Sequence, residues 1–314
     1  MTDHNFWGLL DITYIYLGGL GVGAFFVSAM LLLLGRNDRT HFTVARYGAF
    51  LAFVAIVAGG ILLPFELEHP FRAWRVYLNF AHGLRSPMFY GAWFLVIFGA
   101  ISFFYALTFM RRGASAEDDL ARGRKVLAWL GLAFGLCLGL YYGVLHASLA
   151  ARPLWHSPVL PLMFLVSAYM SGAAGVLFLF AIFHRKNSDA EVEKRFVRRG
   201  HQLLAWILIL AGIQAVLVFL YVLFANAFGS GDQSAAIQIL LPGGAFATQF
   251  WLWAVVLGIL VPIVLAASFG VSRAERAPVP WWVAVVVPLC VLIGGYVMRY
   301  DIIIAGQITH PMGL

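Results

Sequence analysis

Eight apolar runs, each long enough to cross a bilayer as a helix, occupy residues 12–34, 47–65, 87–110, 126–150, 158–183, 202–226, 246–270 and 281–304. A hydrocarbon core about 30 Å thick takes roughly 20 helical residues per crossing, so eight crossings consume most of the chain. The cations between the runs fix the direction of threading. Sixteen of the 21 Lys and Arg residues fall in 35–46, 111–125, 185–199 and 272–277, which are alternate connections. Only Arg72, Arg75, Arg85, Arg152 and Arg299 belong to the opposite connections and the C-terminal end. Cytoplasmic loops carry the excess of positive charge, so both termini are expected outside the cytoplasm. The expected fold is all-α: a polytopic helical bundle of eight transmembrane helices forming one integral membrane domain over 1–314. The first run is Gly-rich and preceded by Asp3 and Asp11 rather than by Lys or Arg. It reads as a retained first helix, not a cleaved signal peptide.

Composition decides between the remaining classes. With 62% hydrophobic and 11% charged residues, there is too little polar surface to cover a soluble globule. A formal net charge of +7 would suggest nucleic acid in a soluble protein. Here the cations sit at helix ends, where anionic headgroups attract them, so no nucleic-acid partner is expected. The only cysteines, Cys137 and Cys290, lie inside apolar runs. That excludes a cysteine-ligated metal or iron–sulfur cluster within this chain, and any redox centre must be borrowed from a partner or dissolved in the membrane. The histidines supply no mid-span partner for a bis-histidine haem.

The two sides differ in character. The inner connections, such as 111–119 and 184–189, read as ordinary mixed-charge solvated loops. The outer segments interleave acids, guanidinium groups, His and Trp: 64–75 holds Glu66, Glu68, His69, Arg72, Trp74 and Arg75; 85–88 holds Arg85; 152–158 holds Arg152, Trp155 and His156; 299–301 holds Arg299 and Asp301. An interfacial belt of Trp and snorkelling Arg accounts for any one of them. Four outer segments supplying ionisable groups together point further, to a polar site at that face that a partner docks or a headgroup fills.

Two spans carry polar groups near their outer ends. Asp11 and Tyr14, three residues apart, share a helical face just ahead of Gly18-Gly19-Leu20-Gly21-Val22-Gly23. The glycines lack the strand and the Lys of a phosphate loop and serve close helix approach instead. Asp11 and Tyr14 place a carboxylate and a phenol at a depth where a quinone ring can hydrogen-bond. In the fourth span, Tyr141 and Tyr142 precede His146, and Tyr142 and His146 share a stripe. His146 reads either as a structural histidine satisfied by a neighbour or as a proton acceptor or ligand of the quinone headgroup.

Several blocks then resemble a known family in order along the chain: Gly18 to Gly23; Glu66-Leu67-Glu68-His69-Pro70-Phe71-Arg72-Ala73-Trp74; Ser86-Pro87-Met88-Phe89-Tyr90-Gly91-Ala92-Trp93; Ala151-Arg152-Pro153-Leu154-Trp155 with Pro158; and Arg299-Tyr300-Asp301-Ile302-Ile303-Ile304-Ala305-Gly306-Gln307. These look like the signatures of the NrfD/PsrC family, the membrane subunit of polysulfide-reductase-like respiratory complexes. The resemblance implies an eight-helix, haem-free, quinone-reactive subunit of the bacterial inner membrane. Its partners would be an extracytoplasmic ferredoxin-like iron–sulfur subunit, a catalytic subunit, often a molybdopterin oxidoreductase, and the surrounding lipids. It also implies a quinone, menaquinone or ubiquinone, held at Asp11 and Tyr14 and by Tyr141 or Tyr142. The family has Asn and His at the first two positions in a well-known polysulfide reductase, where this chain has Asp11 and Tyr14.

Quinol oxidation releases protons as well as electrons, so acceptors near water are needed. Asp11, Glu66 and His146 are the candidates for that role, and Tyr14, Tyr141 and Tyr142 for holding the headgroup. Arg72, Arg152 and Arg299 can tune or orient carboxylates or pair with acids of a docked subunit, with Trp74, Trp155 and Asp301 in support. Two other classes fit eight spans. A non-redox anchor would need neither the Asp11 and Tyr14 pair nor the fourth-span stripe. A secondary transporter would place its polar site near midplane, whereas this chain gathers polar groups at one face.

Overall fold

The computed structural model describes residues 8–35, 39–66, 77–78, 86–111, 115, 118–184, 189–271 and 278–309. Among them there are helices and no strands, and eight helices are long and apolar enough to span a membrane. The first six are α1 (Leu9–Leu34), α2 (Arg39–Glu66), α3 (Pro87–Met110), α4 (Ala121–Ala147), α5 (Leu160–Phe183) and α6 (Ala190–Leu223). A π-helical turn, Phe224–Phe228, and a short helix α7 (Gly231–Ile237) follow. The seventh span runs as a π-helix Gln249–Leu260, then α8 (Val261–Ala266), then a π-helix Ala267–Val271. The last span is α9 (Trp281–Ile308).

The apolar windows of α1 and α5 are 61% and 67% buried, against 28% for the sixth and seventh spans, so α1 and α5 form the centre. Glycine makes this possible. A Cβ on Gly23 would fall onto the Ala168 carbonyl of α5, and one on Gly172 onto the Gly23 backbone. The two helices therefore touch backbone to backbone, the small-residue packing that replaces hydrophobic driving force in lipid. Gly258 and Gly294 repeat the device between the seventh span and α9.

The ends differ from expectation in two places. First, α9 continues to Ile308, beyond the apolar run that closes at 304, because Ile302, Ile303, Ala305 and Gly306 are all buried against neighbours. Arg299 and Asp301, expected in an outer segment, are thereby inside the last helix, 1% and 0% exposed. Second, the inner connection after α3 is not simply a solvated loop. Arg124 of α4 is fully buried and donates from Nε to Thr108 Oγ1 (3.1 Å), from Nη1 to the Ser115 carbonyl (2.9 Å), and from Nη2 to the Thr108 carbonyl (3.0 Å) and the Asp118 carboxylate (2.9 Å). Its guanidinium also lies over the rings of Phe42 and Phe109. Burial works to raise the Asp118 carboxyl, but the Arg124 bonds and the Ser115 amide hold it below its ordinary value of 3.8.

The outer connection from Ser148 to Val159 is a folded plug. Leu154 and Trp155 are 1% exposed. Trp155 Nε1 donates to the Ile302 carbonyl (2.8 Å), the Tyr221 hydroxyl donates to the Leu154 carbonyl (2.7 Å), Gln233 Nε2 donates to the His156 carbonyl (2.5 Å), and Arg152 donates to the Gln307 carbonyl. In this way backbone acceptors of a loop and of the last turns of α9 are satisfied by side chains.

Candidate functional site

The polar groups predicted on α1 and α4 come together. Tyr14 and Tyr142, 7% and 2% exposed, meet edge to face with ring centroids 5.9 Å apart. Tyr141 packs beside Tyr142 at 5.7 Å. The sequence arranges this through two notches. A Cβ on Gly18 would land on the Tyr142 hydroxyl, and a Cβ on Gly91 of α3 would land in the Tyr141 ring. The glycines of α1 thus do two jobs: Gly23 brings α5 close, and Gly18 admits a phenol. Asp11, half-buried in the first turn of α1, is near enough to act on the Tyr14 phenol electrostatically, as are Tyr141, Tyr142 and Tyr77.

Tyr77 is a member of this cluster that the sequence did not single out. It belongs to the outer connection between α2 and α3, half-buried, with its ring edge to face with Trp93 at 6.0 Å. Burial raises its phenol above the ordinary 10.0. A tyrosine in the same outer segment as Trp74 was the available signal.

His146 lies one turn outward of Tyr142 on α4 and is 0% exposed. Its Nδ1 is 2.8 Å from the Tyr142 carbonyl. A carbonyl only accepts, so Nδ1 carries the proton and the neutral ring presents Nε2 as its basic nitrogen. The ring is edge to face with Trp155 (5.1 Å) and Phe164 (5.9 Å), which encloses it under the outer plug.

Arg299 lies behind the phenols rather than at the surface. It donates from Nη1 to Ser167 Oγ (2.9 Å) and to the Gly295 carbonyl (3.0 Å), and from Nη2 to the Phe164 carbonyl (3.1 Å). Its guanidinium faces the rings of Tyr16 and Phe164 and presses on Gly19. Its field reaches Tyr142. Tyr16, whose hydroxyl donates to the Leu292 carbonyl (2.8 Å), and Ser167 complete this layer; the sequence gives no sign that they support the site beyond being polar in an apolar run.

The other predicted residues separate. Trp155 is interior, so it steadies the plug instead of meeting solvent. Arg152 is half-buried on the Gln307 carbonyl. Asp301 is interior, and neither carboxylate oxygen has a hydrogen-bond partner. Glu66 ends α2, with its side chain outside the described residues, as are Arg72 and Trp74 entirely. Among the described residues no group of three or more His, Cys, Asp or Glu is placed to hold a metal ion.

An eight-span bundle with a phenol and carboxylate cluster at the N-terminal end of its central helix defines a polytopic membrane protein with a polar cluster near one end of the bundle. The family model described as polysulphide reductase, NrfD, matches residues 1–311, and the chain belongs to that family. It is similar to the C chain of the polysulfide reductase of Wolinella succinogenes, 26% identical over 94% of this chain and 92% of that protein. It is also similar to protein NrfD of Escherichia coli, 28% identical over 94% and 93%. A more distant relative, the Hdr-like menaquinol oxidoreductase integral membrane subunit of Archaeoglobus fulgidus, is 22% identical over 83% of this chain and 62% of its own length. The family consists of membrane subunits of oxidoreductase complexes, and eight apolar helices suit a multi-pass member of it.

Proposed function

We propose that this chain exchanges electrons between the quinone pool and an iron–sulfur subunit docked on the extracytoplasmic face, running as quinol oxidation. The observation that carries the reading is the Tyr14 and Tyr142 pair, seated in the Gly18 notch with Asp11 beside it. Two buried phenols and a carboxylate are the donor and acceptor set that a quinone headgroup needs. The word menaquinol in the name of the Archaeoglobus relative supports the same chemistry. The charge bias of the loops supports an outer position for the pocket, with both termini on that side, in a bacterial cytoplasmic membrane. The partners would be a ferredoxin-like subunit and a catalytic, molybdopterin-type subunit.

A bound quinol, menaquinol or ubiquinol, would supply two electrons and two protons. The protein's own groups handle the rest. Tyr14 and Tyr142 orient the headgroup oxygens through their hydroxyls. Asp11, half-buried at the rim, accepts a proton and passes it to outer water. His146 Nε2 is the second acceptor, its ring fixed by the Nδ1 bond to the Tyr142 carbonyl. Arg299 supplies positive charge near Tyr142, and Tyr141 packs into the Gly91 notch of α3.

The test is quinol-linked reduction of the electron acceptor by the intact complex carrying Asp11→Asn or Tyr142→Phe. Turnover should fall by at least about tenfold, in keeping with loss of a general base or a positioning bond, while the partner subunits still co-purify. Full turnover in both variants would leave the chain as a non-redox anchor.

A further inference from the structure

At the end of the bundle opposite the phenol cluster, the run Arg122-Gly123-Arg124-Lys125 opens α4. Arg124 turns inward and is paired with Asp118. Arg122 and Lys125, three residues apart, are exposed instead, and among the described residues neither meets an acid within ion-pair distance. The bonds from Arg124 to Thr108 tie this first turn to the last turn of α3, so the exposed Arg111, which caps α3, stands at the same mouth. One exposed acid, Asp119, precedes the turn. By contrast, Lys194 on α6 is already paired with Glu191. Deeper in the bilayer the same side of α4 is apolar. Val126, Trp129, Ala133, Leu136 and Cys137 follow the two cations at helical intervals, and all are exposed, Trp129 at 63%. From Val126 to Cys137 is eleven residues, about 16 Å along the axis, close to half of a hydrocarbon core of about 30 Å.

We propose that this face of α4 docks one anionic glycerophospholipid, its phosphate at Arg122 and Lys125 and an acyl chain along the apolar stripe. Depth supports the match. Tryptophan settles where hydrocarbon gives way to headgroups. Lys125 and Arg122 lie four and seven residues further toward water than Trp129, about 6 and 10 Å, which brings their long side chains to a headgroup layer roughly 5–8 Å thick. Charge complementarity selects the class of lipid. Arg111, Arg122 and Lys125 stand against the single exposed acid Asp119, so a headgroup of net negative charge is attracted and a zwitterionic one gains little. The stripe selects a lipid over free phosphate, because a chain gains apolar contact along a whole leaflet that an inorganic ion cannot use. Access is open as well: a Cβ on Gly123, between the two cations, would meet nothing within 4 Å. On the charge bias of the loops, the leaflet is the cytoplasmic one. No group of the phenol cluster takes part, so the proposal stands apart from the quinol chemistry.

The experiment takes the full chain with its co-purifying subunits, strips it of lipid in detergent and titrates it with dioleoyl-phosphatidylglycerol or dioleoyl-phosphatidylcholine, counting bound lipid by native mass spectrometry. Arg122→Gln combined with Lys125→Gln should weaken the tightest phosphatidylglycerol at least about tenfold, the effect of two interfacial cations, and leave phosphatidylcholine unchanged. Both side chains are exposed, so the melting temperature in lipid-free detergent should not move. Arg195→Gln combined with Arg198→Gln removes the same charge from exposed positions of α6 and should change phosphatidylglycerol binding by no more than about twofold. Equal losses in the two double variants would reduce the effect to diffuse surface charge and overturn the site. Equal wild-type affinity for the two lipids, or no loss in the α4 variant, would overturn it too. Displacement of phosphatidylglycerol by excess inorganic phosphate would make this a free-anion site, and a photo-crosslinker at position 129 that captured a protein subunit instead of lipid would make it a polypeptide interface; either result ends the proposal.

Discussion

Among the described residues two arginines are completely buried, and they are built on opposite principles. Arg124, under the connection after α3, has every nitrogen engaged, a carboxylate at 2.9 Å and the adjoining rings of Phe42 and Phe109 beside it. Arg299, behind the outer phenols, has two nitrogens on neutral acceptors, an Nε without a hydrogen-bond partner and no ion pair. The acid that could neutralise Arg299 is only two residues away. Two residues are roughly 200° of helical turn, so Asp301 points to another side of α9 and its oxygens also lack partners. A saturated buried ion holds structure together, whereas an unsaturated one keeps its field available. Arg124 knots the chain, and on the function proposed above Arg299 lends charge to the phenol cluster.

Breaking the knot should give the largest loss of stability. Arg124→Ala leaves Asp118 without its cation and opens a void beside the Phe42 and Phe109 rings, which on the precedent of severed buried pairs costs about 3–5 kcal/mol. Thermal unfolding of the solubilised protein should show it, with KM for quinol unchanged in whatever folds. The effect has a pH signature. Asp118 is held below its unfolded value, so the bond's contribution is complete at neutral pH and is lost as pH falls through and below the ordinary carboxylate value near 3.8. Wild type and variant should converge in acid, and a constant gap across pH would mean that packing, not charge, holds this corner.

At Arg299 the expected order reverses, with function hit harder than stability. Arg299→Lys keeps the charge but cannot reach Ser167, Gly295 and Phe164 with one compact ammonium. Losing the fork that fixes the cation behind Tyr142 should lower turnover by about tenfold, equivalent to roughly 1.4 kcal/mol of barrier. The melting temperature should shift less than in Arg124→Ala. A larger stability loss than at Arg124, with turnover intact, would make the two arginines alike and end the contrast.

The contrast also marks where the sequence is readable. The number and placement of the spans are legible because they depend on a quantity that sums over many residues, the length of each apolar run. The Tyr14 and Tyr142 meeting is half legible: each tyrosine sits on a recognisable stripe, but that Gly18 is the seat of Tyr142 depends on helix rotation, which periodicity does not set. Arg299 and Asp301 lie deeper than expected because a charged pair near the end of an apolar run looks like a helix end. Only the packing of Ile302, Ile303 and Gly306 against neighbouring elements carries α9 onward. Arg124 looks like one more inner-face cation, since nothing in Arg-Gly-Arg-Lys distinguishes the one that turns inward. The π-helical seventh span has no local signal at all.

The smallest effect should come from Asp301, and it tests the reading most sharply because residue and neighbour share a helix turn. Asp301→Asn keeps the shape and removes the charge from a side chain that makes no hydrogen bond. No partner is stranded, so the usual penalty for deleting half of a buried interaction does not arise. Stability should stay within about 0.5 kcal/mol of wild type or rise slightly, and turnover should be unchanged. Because the side chain is interior, retention of the partner subunits should not change either. A turnover loss matching that of Arg299→Lys would show that the two residues work as one charge pair through the helix, and the unsaturated arginine would then need a different account.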